Sequence, residues 1–121
     1  MSEQLELDPS GMDQHEPGAK VDAGKVRAQL VLGSFAHALY GVCEVGTFGA
    51  MKYSDDGWLQ VQDGIMRYSD AQLRHWMKDA MGEVADSDSQ LLHLKHEAWN
   101  ALAKLELFER RRKSRPGPKR G

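Results

Sequence analysis

The feature that most restricts the fold of this 121-residue chain is a stripe of apolar side chains near its C-terminal end. The stripe consists of Leu91, Leu94, Ala98, Leu102 and Leu105. Its members follow one another three or four positions apart, which is the period of one face of an α-helix. The stripe predicts a long amphipathic helix over residues 87–112 that buries its leucines. Ser87 and Gln90 have the spacing of a capping box that would open this helix.

Two further helices are predicted upstream. The first spans residues 35–52 with Ser34 as its side-chain N-cap, and the second spans 63–81 and ends before Gly82. The apolar residues expected to face the core are Phe35, Leu39, Val42, Val45 and Gly49 on the first helix, and Ile65, Met66, Leu73, Trp76, Met77 and Ala80 on the second. No stretch alternates apolar and polar residues over the length of a strand. The sequence therefore predicts an all-α fold, a small bundle of three main helices.

The first predicted helix contains three glycines, at positions 41, 46 and 49. Each weakens a helix by roughly 1 kcal/mol relative to alanine. So many glycines predict that another backbone or a ligand approaches this helix closely. The alternative is a helix that is kinked or broken near Gly46.

Composition divides the chain into three parts. Residues 1–19 are polar, acidic and rich in glycine and proline, which predicts disorder. Residues 20–112 form the predicted domain, beginning with an ordered arm over 20–32. Residues 113–121 are a basic, flexible tail. Seven of the sixteen Lys and Arg residues lie within 110–121, whereas all eighteen Asp and Glu residues come before that stretch.

This distribution of charge excludes a general nucleic-acid binder and suits the binding of divalent cations, for which carboxylates are hard ligands. The single cysteine, Cys43, excludes a disulfide framework within the chain and a zinc site built on cysteine. No apolar run is long enough to span a membrane. These properties predict a cytoplasmic protein. A chain this small buries only about two thirds of its unfolded surface, so the bundle is expected to be completed by oligomerisation.

The third predicted helix has a polar face opposite its leucines. His93, His96, Glu97 and Asn100 fall within about a right angle of one another on that face. Such a set can bind a metal ion or orient a phosphate. The alternative, and the more common arrangement, is a polar side that faces solvent.

Three other positions are candidate metal ligands. Glu44 falls among apolar residues of the first helix, where a carboxylate is costly to bury unless a cation faces it; the alternative is a partly exposed side chain. Asp70 is either a ligand or the ion-pair partner of Arg74. Glu83 and Asp86 have the Glu-x-x-Asp spacing of helical metal-dependent pyrophosphohydrolases, but they fall in a predicted loop.

Phosphates and a base would require cations and aromatic rings. The candidate cations are Lys20, Lys25, Arg27, Lys52, Arg67 and Arg74. Tyr53 and Trp58 flank a turn and could stack on a base, although ordinary core packing explains them equally well. The sequence contains no Walker loop, nucleophile elbow or zinc-ligand spacing.

Three stretches, read in order, resemble a phage protein family. They are Asp22-Ala-Gly-Lys25-Val-Arg27 with Glu44-Val-Gly-Thr-Phe48-Gly-Ala-Met-Lys52-Tyr53 and Trp58; Arg67-Tyr68-Ser-Asp70-Ala-Gln-Leu-Arg74-His75; and Gly82-Glu83, Asp86 and His93-Leu-Lys-His96-Glu-Ala-Trp-Asn100. The resemblance runs from about Lys20 to Phe108, nearly the whole predicted domain. The family is the dATP/dGTP diphosphohydrolase (N-terminal domain) family, which includes the MazZ-type enzymes of phages that replace adenine with diaminopurine.

The resemblance implies a MazG-like all-α fold and hydrolysis of dGTP or dATP to the monophosphate and pyrophosphate. It also implies a divalent metal, with Mg²⁺ expected first and Mn²⁺ or Co²⁺ as alternatives. In phages with modified genomes, the dGMP so formed would feed synthesis of the diaminopurine nucleotide. The sequence departs from MazG-type enzymes at Thr47, where they carry the second glutamate of a Glu-x-x-Glu motif.

On this hypothesis, each candidate residue has a role. The expected metal ligands are Glu44, Asp70, Glu83 and Asp86. The expected catalytic residues are Glu44, Asp70, His75 and His96. The expected nucleotide-binding and phosphate-binding residues are Lys25, Arg27, Lys52, Tyr53, Trp58, Arg74, His93 and Asn100. The alternative is a non-catalytic phage accessory protein that binds a nucleotide, a host protein or, through its basic tail, nucleic acid.

Overall fold

Four α-helices and one short 3-10 helix make up the regular structure of residues 8–114, the part of the chain that this computed structural model describes. The α-helices are α1 (Ala28–Ser34), α2 (Ala36–Lys52), α3 (Gly64–Ala80) and α4 (His93–Ser114), and the 3-10 helix is Gly57–Gln60. Within the described residues the only β-type pairing is an isolated antiparallel bridge between Ala85 and Leu92. The all-α prediction is confirmed. The basic residues of the predicted tail beyond Ser114 lie outside the described part.

The chain divides into two compact units, one ending at Ser34 and the other beginning at Phe35. The first unit contains turns and α1, which begins within the predicted arm and ends two residues beyond it. The second unit contains α2, the 3-10 helix, α3 and α4. In it α4 packs most extensively against α3 and also contacts α2.

No single helix in residues 8–114 is both long enough and apolar enough to cross a membrane. The segments Ala28–Ser34 and Ala36–Lys52 meet the requirements of length and composition only when they are counted together as a bent pair.

Two predicted helix caps are wrong. Ser34 does not cap α2, because its hydroxyl donates to the Leu30 carbonyl inside α1 at 2.8 Å. The capping box at Ser87 and Gln90 does not exist either, because α4 begins only at His93. Gln90 instead adopts a left-handed conformation (φ 64°), and its side-chain amide donates to the Ser87 carbonyl at 2.9 Å.

The C-terminal end of α3 is as predicted. Gly82 has a φ of +99°, a conformation that glycine adopts without steric cost. The Gly82 N–H donates to the Asp79 carbonyl, and the Glu83 N–H donates to the Lys78 carbonyl, each within 3.0 Å. This pair of bonds is the Schellman motif. The motif stops α3 and turns Glu83 back towards α4.

The glycines of α2 allow side chains of α4 to approach closely. A Cβ atom on Gly41 would lie 2.9 Å from Lys95 Cγ, and one on Gly46 would lie 3.3 Å from Trp99 Nε1. The helix runs unbroken from Ala36 to Lys52, so the alternative of a break near Gly46 is wrong. Close approach occurs at Gly41 and Gly46, where side chains of the neighbouring helix make it, but not at Gly49, where an added Cβ would meet nothing within 4 Å.

The inward and outward faces of α4 are the reverse of the prediction. Leu94, Leu102 and Leu105 are exposed, by 59%, 46% and 56%. The buried residues of this helix are His93, His96, Asn100 and Ala103. The prediction that α4 buries its leucine stripe is therefore wrong, because the face carrying the histidines turns towards α2 and α3.

The same reversal affects the other predicted stripes. Most of the apolar residues expected in the core from α2 and α3 are exposed in part, among them Phe35, Met66, Leu73, Trp76 and Met77. Among the described residues, Val45 and Ala103 are the only buried hydrophobic side chains. Three aromatic rings pack together where α3, α4 and the 3-10 helix meet. Trp58, Tyr68 and Trp99 contact one another edge to face, with centroids 5.5–6.4 Å apart.

Candidate functional site

His93, the first residue of α4, lies at the centre of a cluster of polar side chains and is completely buried. Its Nε2 atom is 2.8 Å from Glu83 Oε2, and its Nδ1 atom is 2.8 Å from Nδ1 of His75 on α3. An ionised carboxylate only accepts hydrogen bonds, so Nε2 of His93 carries the proton. In the neutral imidazole, Nδ1 is then the acceptor and presents a lone pair towards His75.

His75 and His96 stack on each other, with ring centroids 4.3 Å apart and planes 8° from parallel. Burial lowers the pKa of His75 to about 4, and the nearby imidazoles of His96 and His93 act in the same direction. Burial also lowers the pKa of His96. Both rings are therefore neutral at pH 7 and can offer nitrogen lone pairs to a ligand.

The segment 83–92, between α3 and α4, folds over the histidines and supplies Asp86. The Asp86 N–H donates to the Leu91 carbonyl at 2.8 Å, and the His93 N–H donates to the Val84 carbonyl at 3.0 Å. The Asp86 carboxylate in turn accepts the backbone N–H of Ser89 at 2.8 Å. Burial acts to raise the pKa of Asp86, but the hydrogen bonds from Ser89 outweigh it and hold this pKa below its usual value.

Ser89 joins this segment to the imidazoles. Its Oγ atom lies 2.6 Å from Nε2 of His96 and accepts the backbone N–H of Leu91 at 3.1 Å. On the other side of the His96 ring lies His75. Asn100, one helical turn after His96, is buried and donates to the His96 carbonyl at 2.8 Å. The His96 imidazole is thus held from the loop by Ser89 and from α3 by His75, while Asn100 is bonded to the backbone of His96.

Three of these residues can share one cation. His75, Asp86 and His93 each offer a ligand atom, and the three atoms lie within 4.8 Å of one another. Two imidazoles and one carboxylate form a donor set that suits divalent transition ions. Glu83 holds the far nitrogen of His93, as an outer carboxylate does for a metal-bound histidine. The residues present therefore fit a divalent ion.

Glu97 adds an unsatisfied oxygen beside this cluster. Its Oε2 atom is buried and has no hydrogen-bond partner among the described residues. Burial raises the pKa of Glu97, the charge of Asp79 raises it further, and His93 acts in the opposite direction. A carboxyl group in this position either keeps its proton or requires a ligand to stabilise its charge.

The structure brings together five of the residues that the sequence singled out. They are His75, Glu83, Asp86, His93 and His96. The exposed-face alternative for the α4 histidines is therefore wrong. Asn100 takes part through the backbone of His96.

Other expected metal ligands lie outside the cluster. Asp70 is exposed on α3, and within residues 8–114 it forms no ion pair with Arg74, which is also exposed. Glu44 is half-buried on α2, with Oε1 2.6 Å from Lys95 Nζ. This arrangement agrees with the alternative of a partly exposed side chain.

The expected phosphate-binding and base-binding residues are spread over the molecule. Lys25 and Arg27 belong to the first unit. Lys52 pairs with Asp88 at 2.6 Å, and Tyr53 is exposed beside it. Trp58 packs against Tyr68 and Trp99. This agrees with the alternative interpretation of Trp58, which was ordinary packing.

Sequence reasoning missed Ser89 and Lys95. Ser89 lies three positions after Asp86, as in the turns in which a carboxylate accepts a backbone N–H, and that spacing was the available signal. Nothing in the local sequence distinguishes Lys95 from other helical lysines, because its position depends on Gly41 in another helix.

A family model described as "dATP/dGTP diphosphohydrolase, N-terminal" matches residues 15–115. No curated protein matches the chain. No solved structure matches it either.

Proposed function

Since the chain belongs to the dATP/dGTP diphosphohydrolase N-terminal family, we propose that it hydrolyses dGTP or dATP to the monophosphate and pyrophosphate at the histidine cluster. In this reaction the oxygen of water attacks the α-phosphorus, and the bond to the bridging oxygen of the pyrophosphate breaks. The dGMP formed in this way would be available for diaminopurine nucleotide synthesis in a phage that modifies its DNA.

The observation that carries the proposal is the donor set formed by His75, Asp86 and His93 in the centre of the bundle. Buried polar groups are costly, and a helical bundle ordinarily fills its centre with leucines. Here α4 leaves three leucines exposed and buries two histidines. Polar groups in the centre of a bundle depart from the usual packing rule, and proteins depart from such rules chiefly at functional sites.

His75, Asp86 and His93 would hold the divalent ion, which when bound would polarise water and offset negative charge on the phosphates. Two imidazole ligands suit Mn²⁺ or Co²⁺ better than Mg²⁺, which prefers oxygen. The resemblance led us to expect Mg²⁺ first, but for this donor set we propose Mn²⁺ or Co²⁺.

The side chains around the donor set have separate tasks. Glu83 holds the proton of His93 on Nε2, which leaves Nδ1 as the ligand atom. His96 is neutral at pH 7, and its Nε2 is hydrogen-bonded only to the Ser89 hydroxyl among the described residues. An imidazole in that state can accept a proton from the attacking water.

The test is pyrophosphate release from dGTP and dATP by the purified full-length chain. The protein is stripped of metal with EDTA and then given Mn²⁺, Co²⁺ or Mg²⁺ in turn. Turnover is expected with Mn²⁺ or Co²⁺ and with a purine triphosphate, and it is expected to fall at least about a hundredfold in His75→Gln and His93→Gln.

His37→Gln is the matched control, because His37 is an exposed histidine of α2. Circular dichroism verifies that each variant is folded. Absence of turnover with every ion and triphosphate, or full turnover in folded His75→Gln and His93→Gln, would contradict the proposal. The first of these results would favour a non-catalytic accessory role.

A further inference from the structure

A groove runs along one face of α2 and borders the segment 83–92. Its volume is about 490 Å³, which is within the usual range for small-molecule sites. The residues that line it are Tyr40, Cys43, Glu44, Thr47, Phe48, Met51, Ser89 and Leu91. The α2 members recur every three or four positions, so they form a single face of that helix.

Ser89 connects this groove to the histidine cluster. It lines the groove, and its hydroxyl lies 2.6 Å from His96 Nε2. Its backbone N–H is bonded to Asp86, one of the three candidate metal ligands. One residue, Ser89, therefore separates the groove from His96 and Asp86, two of the groups proposed to carry out hydrolysis.

Two lysines tie α2 to its neighbours beside the groove. Lys95 Nζ lies 2.6 Å from Glu44 Oε1, and Lys52 Nζ lies 2.6 Å from Asp88 Oδ2. Both lysines are partly exposed, and within residues 8–114 each ammonium group is paired with a single carboxylate. Phosphate oxygens can compete for such ammonium groups, because lysine binds phosphate as a compact point charge.

The groove also offers aromatic and apolar surface. Phe48 is half-buried, whereas Tyr40 and Met51 are largely exposed. Lys52 Nζ lies 5.9 Å from the centroid of the Phe48 ring, so a cation and a ring lie side by side. Aromatic side chains can stack on a nucleobase whatever its identity, because every base has a flat π-face.

We propose that the groove binds the nucleoside of a purine deoxynucleotide, with the base on Phe48 and Tyr40 and the phosphates directed past Ser89. Lys95 and Lys52 exchange part of their contact with Glu44 and Asp88 for contact with the phosphates. This inference rests on the proposed function, since it assigns the substrate side of the same site. It also differs from the sequence expectation, which placed the base on Tyr53 and Trp58.

Cys43 makes the test direct, because it is the only cysteine of the chain, is exposed, and lines the groove. The rate at which a maleimide reagent modifies Cys43 is measured with EDTA present, so that no hydrolysis occurs. Saturating dGTP or dGMP is expected to slow the reaction at least about fivefold, and pyrophosphate alone is expected to slow it much less. An unchanged rate at saturating dGTP would overturn the inference.

A pair of variants provides a second measurement. Phe48→Ala is expected to raise the dGTP concentration that gives half-maximal protection of Cys43 by about tenfold. In turnover assays it is expected to raise KM by about the same factor with little change in kcat. Phe108→Ala, at an exposed phenylalanine of α4, is the matched control and is expected to behave like the unmodified chain. Equal KM values and equal protection in the two variants would count against the groove.

The two proposals fail in different ways. Turnover without protection of Cys43 would refute the groove and leave the hydrolase intact. Protection without turnover, under any of the ions tested, would keep the groove as a nucleotide site and refute the hydrolase.

Discussion

His75 and His93 face each other through their Nδ1 atoms at a separation of 2.8 Å, and His93 uses its other ring nitrogen to contact Glu83. Both facing nitrogens cannot present lone pairs without repulsion, so one of them carries a proton when no cation is present. Because His93 keeps its proton on Nε2, the shared proton belongs to His75 when both rings are neutral. A cation held by His75 and His93 would take the place of this proton.

Glu83→Gln is expected to weaken binding of Mn²⁺ or Co²⁺ by about tenfold to a hundredfold. A neutral amide oxygen accepts the proton of His93 Nε2 more weakly than a carboxylate does, so it holds the His93 tautomer less firmly. Calorimetric titration of the metal-free protein measures this affinity. Glu106→Gln is the control, because Glu106 is paired with Arg110 on the exposed side of α4. If Glu83→Gln bound the metal as tightly as the unmodified chain, Glu83 would not be what orients His93 as a metal ligand.

The free energy of unfolding is expected to fall as the pH is lowered from about 6.5 towards 4. The pKa of His75 is about 4 in the folded chain and near its ordinary value of 6.5 in the unfolded chain. Between these values the unfolded state binds more protons, so acidification favours unfolding. His96, whose pKa is also lowered, acts in the same direction, whereas the raised pKa of Glu97 opposes it.

Urea titrations in EDTA at several pH values measure this dependence. His75→Gln removes one of the titrating groups and leaves the others, so its unfolding free energy should depend less steeply on pH over the same interval. An identical slope in the variant and in the unmodified chain would contradict the assignment.

Gly82→Ala is expected to lower the free energy of unfolding by about 1–2 kcal/mol, because alanine is strained in the left-handed region that this position occupies. The substitution also disturbs the hydrogen bond from Glu83 to Lys78 that turns the chain towards His93. Metal affinity should therefore fall together with stability. Denaturant unfolding and metal titration on the same sample check both effects.

Gly41→Ala and Gly49→Ala form a matched pair within α2. A Cβ atom at position 49 meets nothing within 4 Å, so that alanine should stabilise the helix by about 1 kcal/mol. A Cβ atom at position 41 would contact the stem of Lys95, which has to move away from Glu44. Gly41→Ala is therefore expected to be less stable than Gly49→Ala by about 1–3 kcal/mol in chemical denaturation. Equal stabilities would mean that the Lys95 stem moves at no cost.

We also propose that a second copy of the chain covers the exposed leucines of α4. The described residues include only two buried hydrophobic side chains, which is little for a chain of this length. Sedimentation is expected to show a dimer or larger assembly whose melting temperature rises with protein concentration. Leu102→Glu combined with Leu105→Glu should shift it to the monomer, and a monomer at all concentrations in the unmodified chain would exclude the proposal.

The positions of α2 and α3 could be predicted from the sequence, whereas α1 begins in the predicted arm and α4 begins six residues later than predicted. The face that each helix turns inward could not be predicted. Periodicity identifies which residues share a face, as it did for Leu94, Leu102 and Leu105. Assigning that face to the core assumes that apolar burial decides the packing. In α4 the opposite face is buried, because His93 and His96 meet partners from α3 and the loop.

The site could be predicted only in part, because the residues could be singled out from the sequence but their convergence could not. The resemblance drew attention to His75, and the spacing of Glu83 and Asp86 marked them as a pair. Their convergence depends on the Schellman turn at Gly82 and on the hydrogen bonds that close the segment 83–92. Glu44 satisfied the same chemical criterion, but its partner is Lys95, whose approach depends on a glycine in α2.

The edge-to-face packing of Trp58, Tyr68 and Trp99 has an optical consequence. Indole and phenol rings held rigidly in an asymmetric environment produce circular dichroism bands in the near ultraviolet, and these bands vanish when the rings become free to rotate. Since the three rings join the 3-10 helix, α3 and α4, the intensity of this signal reports whether those elements are docked together. A spectroscopist can therefore follow assembly of the bundle without any ligand, label or assay.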